Sequence, residues 1–149
     1  MSLFKRIVVG TDGSDSAREA IRQASELARM SGAELDVVSA YEPVPTRRSQ
    51  EESSGAPDDV AHEFGPREEV NFALDGASAI AAEAGVEVKQ HPMDGDPADA
   101  ILKVAEEVGA DLIVVGNKGM TGARRFLLGS VPNKVSHHAP CSVFIARTT

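Results

Sequence analysis

Three short β-branched runs, Arg6-Ile-Val-Val9, Leu35-Asp-Val-Val38 and Leu112-Ile-Val-Val115, constrain the fold of this chain more than any other feature. Runs of this kind suit strands covered on both faces, as in a parallel sheet. Helical periods separate them. Between the first two, Ala17, Ala20, Ile21, Ala24, Leu27 and Ala28 fall on one helical stripe. Ser14 is the expected N-cap, and Ser31-Gly32 the end, where glycine suits a left-handed cap. A second helix carries Val70, Ala73, Leu74, Ala77, Ile80, Ala81 and Ala84, with Gly76 inside it at a cost of about 1 kcal/mol relative to Ala. A third opens at Asp96-Pro97, a cap followed by proline in the first turn, and is expected to bury Ile101, Leu102, Ala105 and Val108. A fourth, short helix runs from Ser130 to about His138.

The sequence Leu27 to Val38, Ala81 to Val88 and Val104 to Val115 repeats one theme: helix, glycine, apolar strand. A repeated βα unit with right-handed crossovers gives a doubly wound α/β sheet. Five parallel strands are expected near residues 5–11, 34–41, 86–91, 111–116 and 141–147, in the order 3-2-1-4-5. The order reverses between strands one and four, and ligands of such sheets bind beyond the carboxyl ends of the strands at that point. Two glycine-rich loops meet there, Gly10-Thr11-Asp12-Gly13-Ser14 and the stretch from Gly116 to Ser130. Within the second, Gly116-Asn117-Lys118-Gly119 leads to Gly129-Ser130 at the fourth helix. Glycine permits close approach of backbone to ligand, and free N–H groups at a helix start favour an anion. The expected ligand is a phosphate chain.

The 149 residues, 42% of them hydrophobic, fit one domain. A net charge of -8 argues against nucleic acid and anionic membranes as partners. The lone Cys141 excludes an internal disulfide, no run is long enough to span a membrane, and no secretory leader pattern opens the chain. A cytoplasmic protein is the expectation. The interval from Glu42 to Pro66 differs in kind, with Pro43, Pro45, Gly55, Pro57 and Pro66 among polar residues, and reads as a flexible insertion or a lid that brings Arg47 or Arg48 to the phosphates.

The spacing Gly-x2-Gly-x9-Gly-Ser after strand four, with Gly10-Thr11-Asp12-Gly13-Ser14 after strand one and His138-Ala139-Pro140-Cys141 before the last strand, resembles the universal stress protein family, and its ATP-binding branch in particular. The likeness covers nearly all of the chain outside residues 42–66. It implies an adenine nucleotide alpha hydrolase-like, Rossmann-like fold with ATP and Mg2+ as cofactors. By the same likeness Thr11, Asp12, Ala40, Val115, Gly116, Lys118, Gly119, Gly129, Ser130 and Val131 would bind nucleotide, Ala40 would meet adenine through its backbone, and Asp12 would also face the metal. Lys118 and Pro132 depart from common family patterns, where His or Arg and a small residue are more usual.

Other readings compete at individual residues. Asp12 serves equally as a cap of the first helix, and Lys118, Arg124 and Arg125 as a solvated basic turn. Adjacent His137 and His138 diverge on a helix, and His62 and His91 lack zinc-ligand spacing. Cys141 reads as a small core residue. Strand three carries Lys89, an edge protection, whereas Cys141 to Ala146 lacks charge and is an edge that a twofold mate would cover; a homodimer through 141–147 is expected, as the family likeness also implies. The leading function is a nucleotide-dependent stress or regulatory homodimer with slow or no hydrolysis, since no His or Glu base stands beside the glycine loop. An ATP pyrophosphatase-like enzyme is suggested by Asp12-Gly13-Ser14-Asp15-Ser16, although Asp12 would repel pyrophosphate. A phospho-receiver offers only Asp94 as acceptor. A dimeric scaffold with a vestigial site is the non-catalytic alternative.

Overall fold

A computed structural model describes residues 3–41, 66–117 and 128–148. The elements run β1 (Arg6–Gly10), α1 (Asp15–Ser31), β2 (Glu34–Tyr41), α2 (Pro66–Glu83), β3 (Val88–Asp94), α3 (Pro97–Val108), β4 (Leu112–Gly116), α4 (Ser130–His138) and β5 (Ser142–Ala146). The five strands form one sheet in the order β3-β2-β1-β4-β5, with every pairing parallel. This is the expected doubly wound sheet, with its switch point between β1 and β4. No helix of the described residues is long and apolar enough to cross a membrane.

The period of two along each strand divides the core between two layers. Ile7, Val9, Leu35, Val37, Leu112 and Val114 pack on one face with Ala20, Ile21 and Ala24 of α1 and Val70, Leu74 and Ala77 of α2. Val8, Val38, Ile113 and Val115 point the other way, onto Ala98, Ile101, Val104 and Ala105 of α3 and Val131 and Val135 of α4. In α3 the buried stripe is Ala98, Ala100, Ile101, Val104 and Ala105; Leu102 and Val108, expected inside, are only partly buried. This helix packs over β1, β2 and β3.

Local signals set the helix ends as expected. Ser14 caps α1, its hydroxyl accepting from the Ala17 amide at 3.2 Å, and Gly32 takes the left-handed conformation after it. Asp96 caps α3 by accepting from the Asp99 amide at 3.0 Å. Strand β3 begins and ends later than its alternation implied. The Val86 amide is used by the Ala81 carbonyl at the end of α2, so the chain extends only from Val88 and continues through Pro92 to Asp94, paired with Tyr41. Proline is tolerated because β3 is an edge.

Gly76 lies inside α2 with nothing within 4 Å of where a Cβ would sit. Gly76→Ala is therefore expected to raise stability by about 0.5 to 1 kcal/mol, read as a higher urea midpoint at unchanged slope. On α1, hydrogen bonds from Arg22 first and Gln23 second lower the Glu19 carboxyl from 4.5 to about 2. A lowered folded value gives stability that is present above the unfolded pKa and is lost as pH falls from about 4.5 towards 2. The pair is solvent-facing, so Glu19→Gln should remove only about 0.5 kcal/mol at pH 6 and nothing at pH 2, a convergence measurable by denaturation at both values.

Among the described residues, buried polar groups are few and paired. Asp36, fully buried in β2, accepts from Arg6 Nε at 3.1 Å and Nη2 at 3.4 Å and lies 2.7 Å from His91 Nε2. The hydrogen bond to Asp36 raises the Arg6 pKa above its ordinary value. His91 is therefore part of this structural network. His137 and His138 are exposed at the end of α4, and His62, Arg47, Arg48 and all of the 42–66 interval except Pro66 lie outside the described residues. Burial first, and Asp111 second, raise the pKa of the half-buried Cys141 thiol, which packs against the α3 and α4 layer.

Candidate functional site

The carboxyl ends of β1 and β4 stop at Gly10 and Gly116, side by side across the switch point. A cavity opens there, lined by Gly10, Asp12, Ala17, Ile101, Val115, Gly116, Val131 and Pro132. Four of the expected residues, Asp12, Val115, Gly116 and Val131, thus converge on one crevice. Glycine at position 10 leaves room for Ile101: a Cβ there would lie 2.5 Å from Ile101 Cδ1, so the buried side chain would have to shift. The fully buried Ile101 consequently rests against bare β1 backbone and forms part of the cavity wall.

The start of α4 supplies the polar element. Gly129 is its N-cap and carries no side-chain cap. The first intrahelical bond comes from Asn133 to the Gly129 carbonyl at 3.0 Å, and Pro132 has no N–H to offer. Among the described residues nothing bonds the amides of Ser130 and Val131. These two donors stand at the positive end of the α4 dipole, beside the cavity. Proline at the third helical position is accommodated at no cost in helix hydrogen bonds, so this departure from family pattern is structurally benign.

The loop after β1 is held by its own side chains. Asp12 Oδ1 accepts from the Ser14 amide at 2.9 Å, while Thr11 Oγ1 accepts from the Gly13 amide at 3.1 Å. Gly13 has φ of +83°, and a Cβ there would lie 3.2 Å from Ala73 Cβ, so both conformation and space call for glycine. Asp12 therefore shapes the entry to α1, as the capping reading expected, while Ser14 makes the cap itself. Thr11 is buried and lines a separate cleft with Ile21, Ala73 and Ala77. Strand alternation explains this, because residues 9 and 11 face the α1 and α2 layer and residues 8 and 10 face the α3 and α4 layer.

Ala40 sits half-buried near the end of β2, packed with Met93 on the crevice side of the sheet but outside the cavity lining. Lys118 and Gly119, like Arg124 and Arg125, lie outside the described residues. Four lining residues were not singled out as binding residues by sequence: Gly10 entered only as part of the glycine-rich loop, Ala17 and Ile101 read as core, and Pro132 as a departure. Lys134 was also missed. Its Nζ bridges Asp99 Oδ1 at 2.8 Å and Asp96 Oδ2 at 3.4 Å, tying α4 to the start of α3, and the Asp99 hydrogen bond raises its pKa. Among the described residues, Asp12 is the only ionisable one in the cavity wall, and no group of three His, Cys, Asp or Glu residues suited to a metal occurs.

A doubly wound α/β domain with a glycine-edged crevice at its switch point has the architecture in which ligands bind beyond the carboxyl ends of the strands. The comparison with known proteins gives the family. Residues 3–147 match the model of the universal stress protein family, and the chain belongs to that family. It is 39% identical to universal stress protein Rv1636 of Mycobacterium tuberculosis over 153 residues, covering 100% of each chain. A solved universal stress protein in complex with cAMP is 34% identical, with TM-score 0.74, covering 99% of this chain and 100% of that one. Another, from Archaeoglobus fulgidus in complex with dAMP, is 29% identical, with TM-score 0.65, covering 96% and 98%.

Proposed function

We propose that this chain binds an adenine nucleotide, with ATP and Mg2+ as the leading pair, in the crevice between β1 and β4, and acts as a nucleotide-dependent stress or regulatory homodimer. The observation that carries the reading is the pair of amides of Ser130 and Val131, unbonded among the described residues, beside a cavity whose walls include Gly10 and Gly116. An oxyanion of the nucleotide accepts from those amides and from the Ser130 hydroxyl. Relatives in complex with cAMP and dAMP support the adenine assignment. Gly119 and Lys118 complete the phosphate contacts, and the Ala40 backbone meets the base.

The donor set fits Mg2+ only as a companion of the phosphates. Among the described residues Asp12 alone offers a carboxylate in the wall, one oxygen of it already engaged by Ser14. Mg2+ keeps water and phosphate ligands readily and needs one or two carboxylates, so Asp12 suffices. The ion neutralises charge that a protein of net charge -8 would otherwise repel. Hydrolysis is slow or absent, because an attacking water would need a base and Asp12 is the only candidate in the described wall.

The dimer forms through 141–147. Strand β5 ends the sheet, and Phe144 and Ile145 are 38% and 40% exposed on it. Open backbone groups beside large apolar side chains favour pairing with a second copy. Sedimentation at micromolar concentration should give a dimer, and Ile145→Lys a monomer; a strictly monomeric parent would remove this part of the proposal. The nucleotide assignment is tested by calorimetric titration with ATP, AMP and cAMP, each with and without Mg2+. One site per chain with ATP favoured by Mg2+ is expected. No heat from folded, nucleotide-stripped protein would leave a dimeric scaffold as the better account.

A further inference from the structure

Asn117 directly follows β4 and gathers four hydrogen bonds. Its amide donates to the Ala146 carbonyl at 2.9 Å, and its carbonyl accepts from the Gly129 amide at 3.0 Å. Its side-chain Oδ1 accepts twice from one residue beyond β5, from the Thr148 amide at 2.9 Å and from Thr148 Oγ1 at 3.0 Å. The first bond continues the β4–β5 ladder past Gly116 and Ala146. The second spans from residue 117 to residue 129 and holds the two ends of the glycine motif together. The side-chain pair ties Asn117, whose own N–H and C=O make those two backbone bonds, to Thr148.

Thr148 also packs on Gly116, since a Cβ at position 116 would lie 3.4 Å from Thr148 Cγ2. Yet Thr148 does not line the crevice. We propose that Asn117 is a positioning residue of the nucleotide site and that Thr148 locks it, so that a residue beyond the last strand sets the distance between Gly116 and the amides of Ser130 and Val131. The inference rests on the nucleotide reading above. Misplacing donors by a fraction of an ångström weakens charge-assisted bonds, and this clamp supplies the missing constraint where the α4 N-cap has no side chain of its own.

Four variants test it: Thr148→Val, Thr148→Ser, Asn117→Ala, and Asn117→Ala with Thr148→Val. Calorimetry with ATP and Mg2+ is combined with hydrogen exchange at the Gly129 amide in nucleotide-free protein. Thr148→Val should weaken binding about fivefold and Asn117→Ala about tenfold, the double variant no further, while Thr148→Ser keeps the donor and stays within about twofold of the parent. Gly129 should exchange faster in Thr148→Val and at the parental rate in Thr148→Ser. Parental affinity in Thr148→Val, or a loss in Asn117→Ala alone, would overturn the proposal by showing that Thr148 does not act through Asn117. If the parent binds no nucleotide, the functional reading fails and the affinity claim with it. Gly129 exchange then judges the clamp alone: faster exchange in Thr148→Val supports it and an unchanged rate refutes it.

Discussion

Ser130→Asp is expected to keep the fold, melt no lower than the parent protein, and lose about 100-fold or more in affinity for ATP. The variant separates stability from binding because one charge acts on both with opposite sign. Ser130 is exposed in the first turn of α4, a helix with no acidic residue in that turn and no side-chain cap. A carboxylate there favours the helix by about 0.3 to 1 kcal/mol through the macrodipole. A phosphate bound to the Ser130 and Val131 amides would lie within about 4 Å of the same carboxylate, where like charges at a protein surface repel by about 4 kcal/mol before screening. Thermal melting and calorimetry on one preparation read both effects. Unchanged affinity would place the phosphates elsewhere.

Arg6→Met is expected to destabilise the protein by about 3 kcal/mol without affecting the crevice. It leaves the fully buried Asp36 with His91 alone, and stripping one partner from a buried ion pair is costly. Partial exposure of Arg6 and the remaining His91 contact keep the loss below the upper end of that range. Replacing Asp36 as well, in Arg6→Met with Asp36→Leu, should recover most of the loss, because no orphaned charge then remains. Urea denaturation of the two single variants and the double closes the cycle. Additive losses would mean that Asp36 is satisfied without Arg6.

The contrast between these two sites shows what could be read in the chain before its structure. Short β-branched runs, the Ser14 and Asp96 caps and the helix, glycine, strand repeats are local signals, and they led to the correct sheet order and helix ends. The crevice was legible for the same reason: Gly10 and Gly116 end their strands, and topology alone brings those ends together. Asp36 was not, because its partners come from two neighbouring strands and only register places Arg6 and His91 around it. A carboxylate inside an apolar run was nevertheless a signal that a cation had to be close. Ile101 was identified as core, but its second face against Gly10 depends on how α3 crosses β1. Asn117 and Thr148 are 31 residues apart and carry no pattern that links them.

The most direct test of the crevice is an amide NMR titration of nucleotide-stripped protein with ATP and Mg2+. The largest shifts should fall on Asp12, Gly116, Gly129, Ser130 and Val131 and saturate together at one nucleotide per chain. Saturable binding whose shifts fall instead at the opposite end of the sheet, around Gly32, Gly85 and Lys89, would contradict the account.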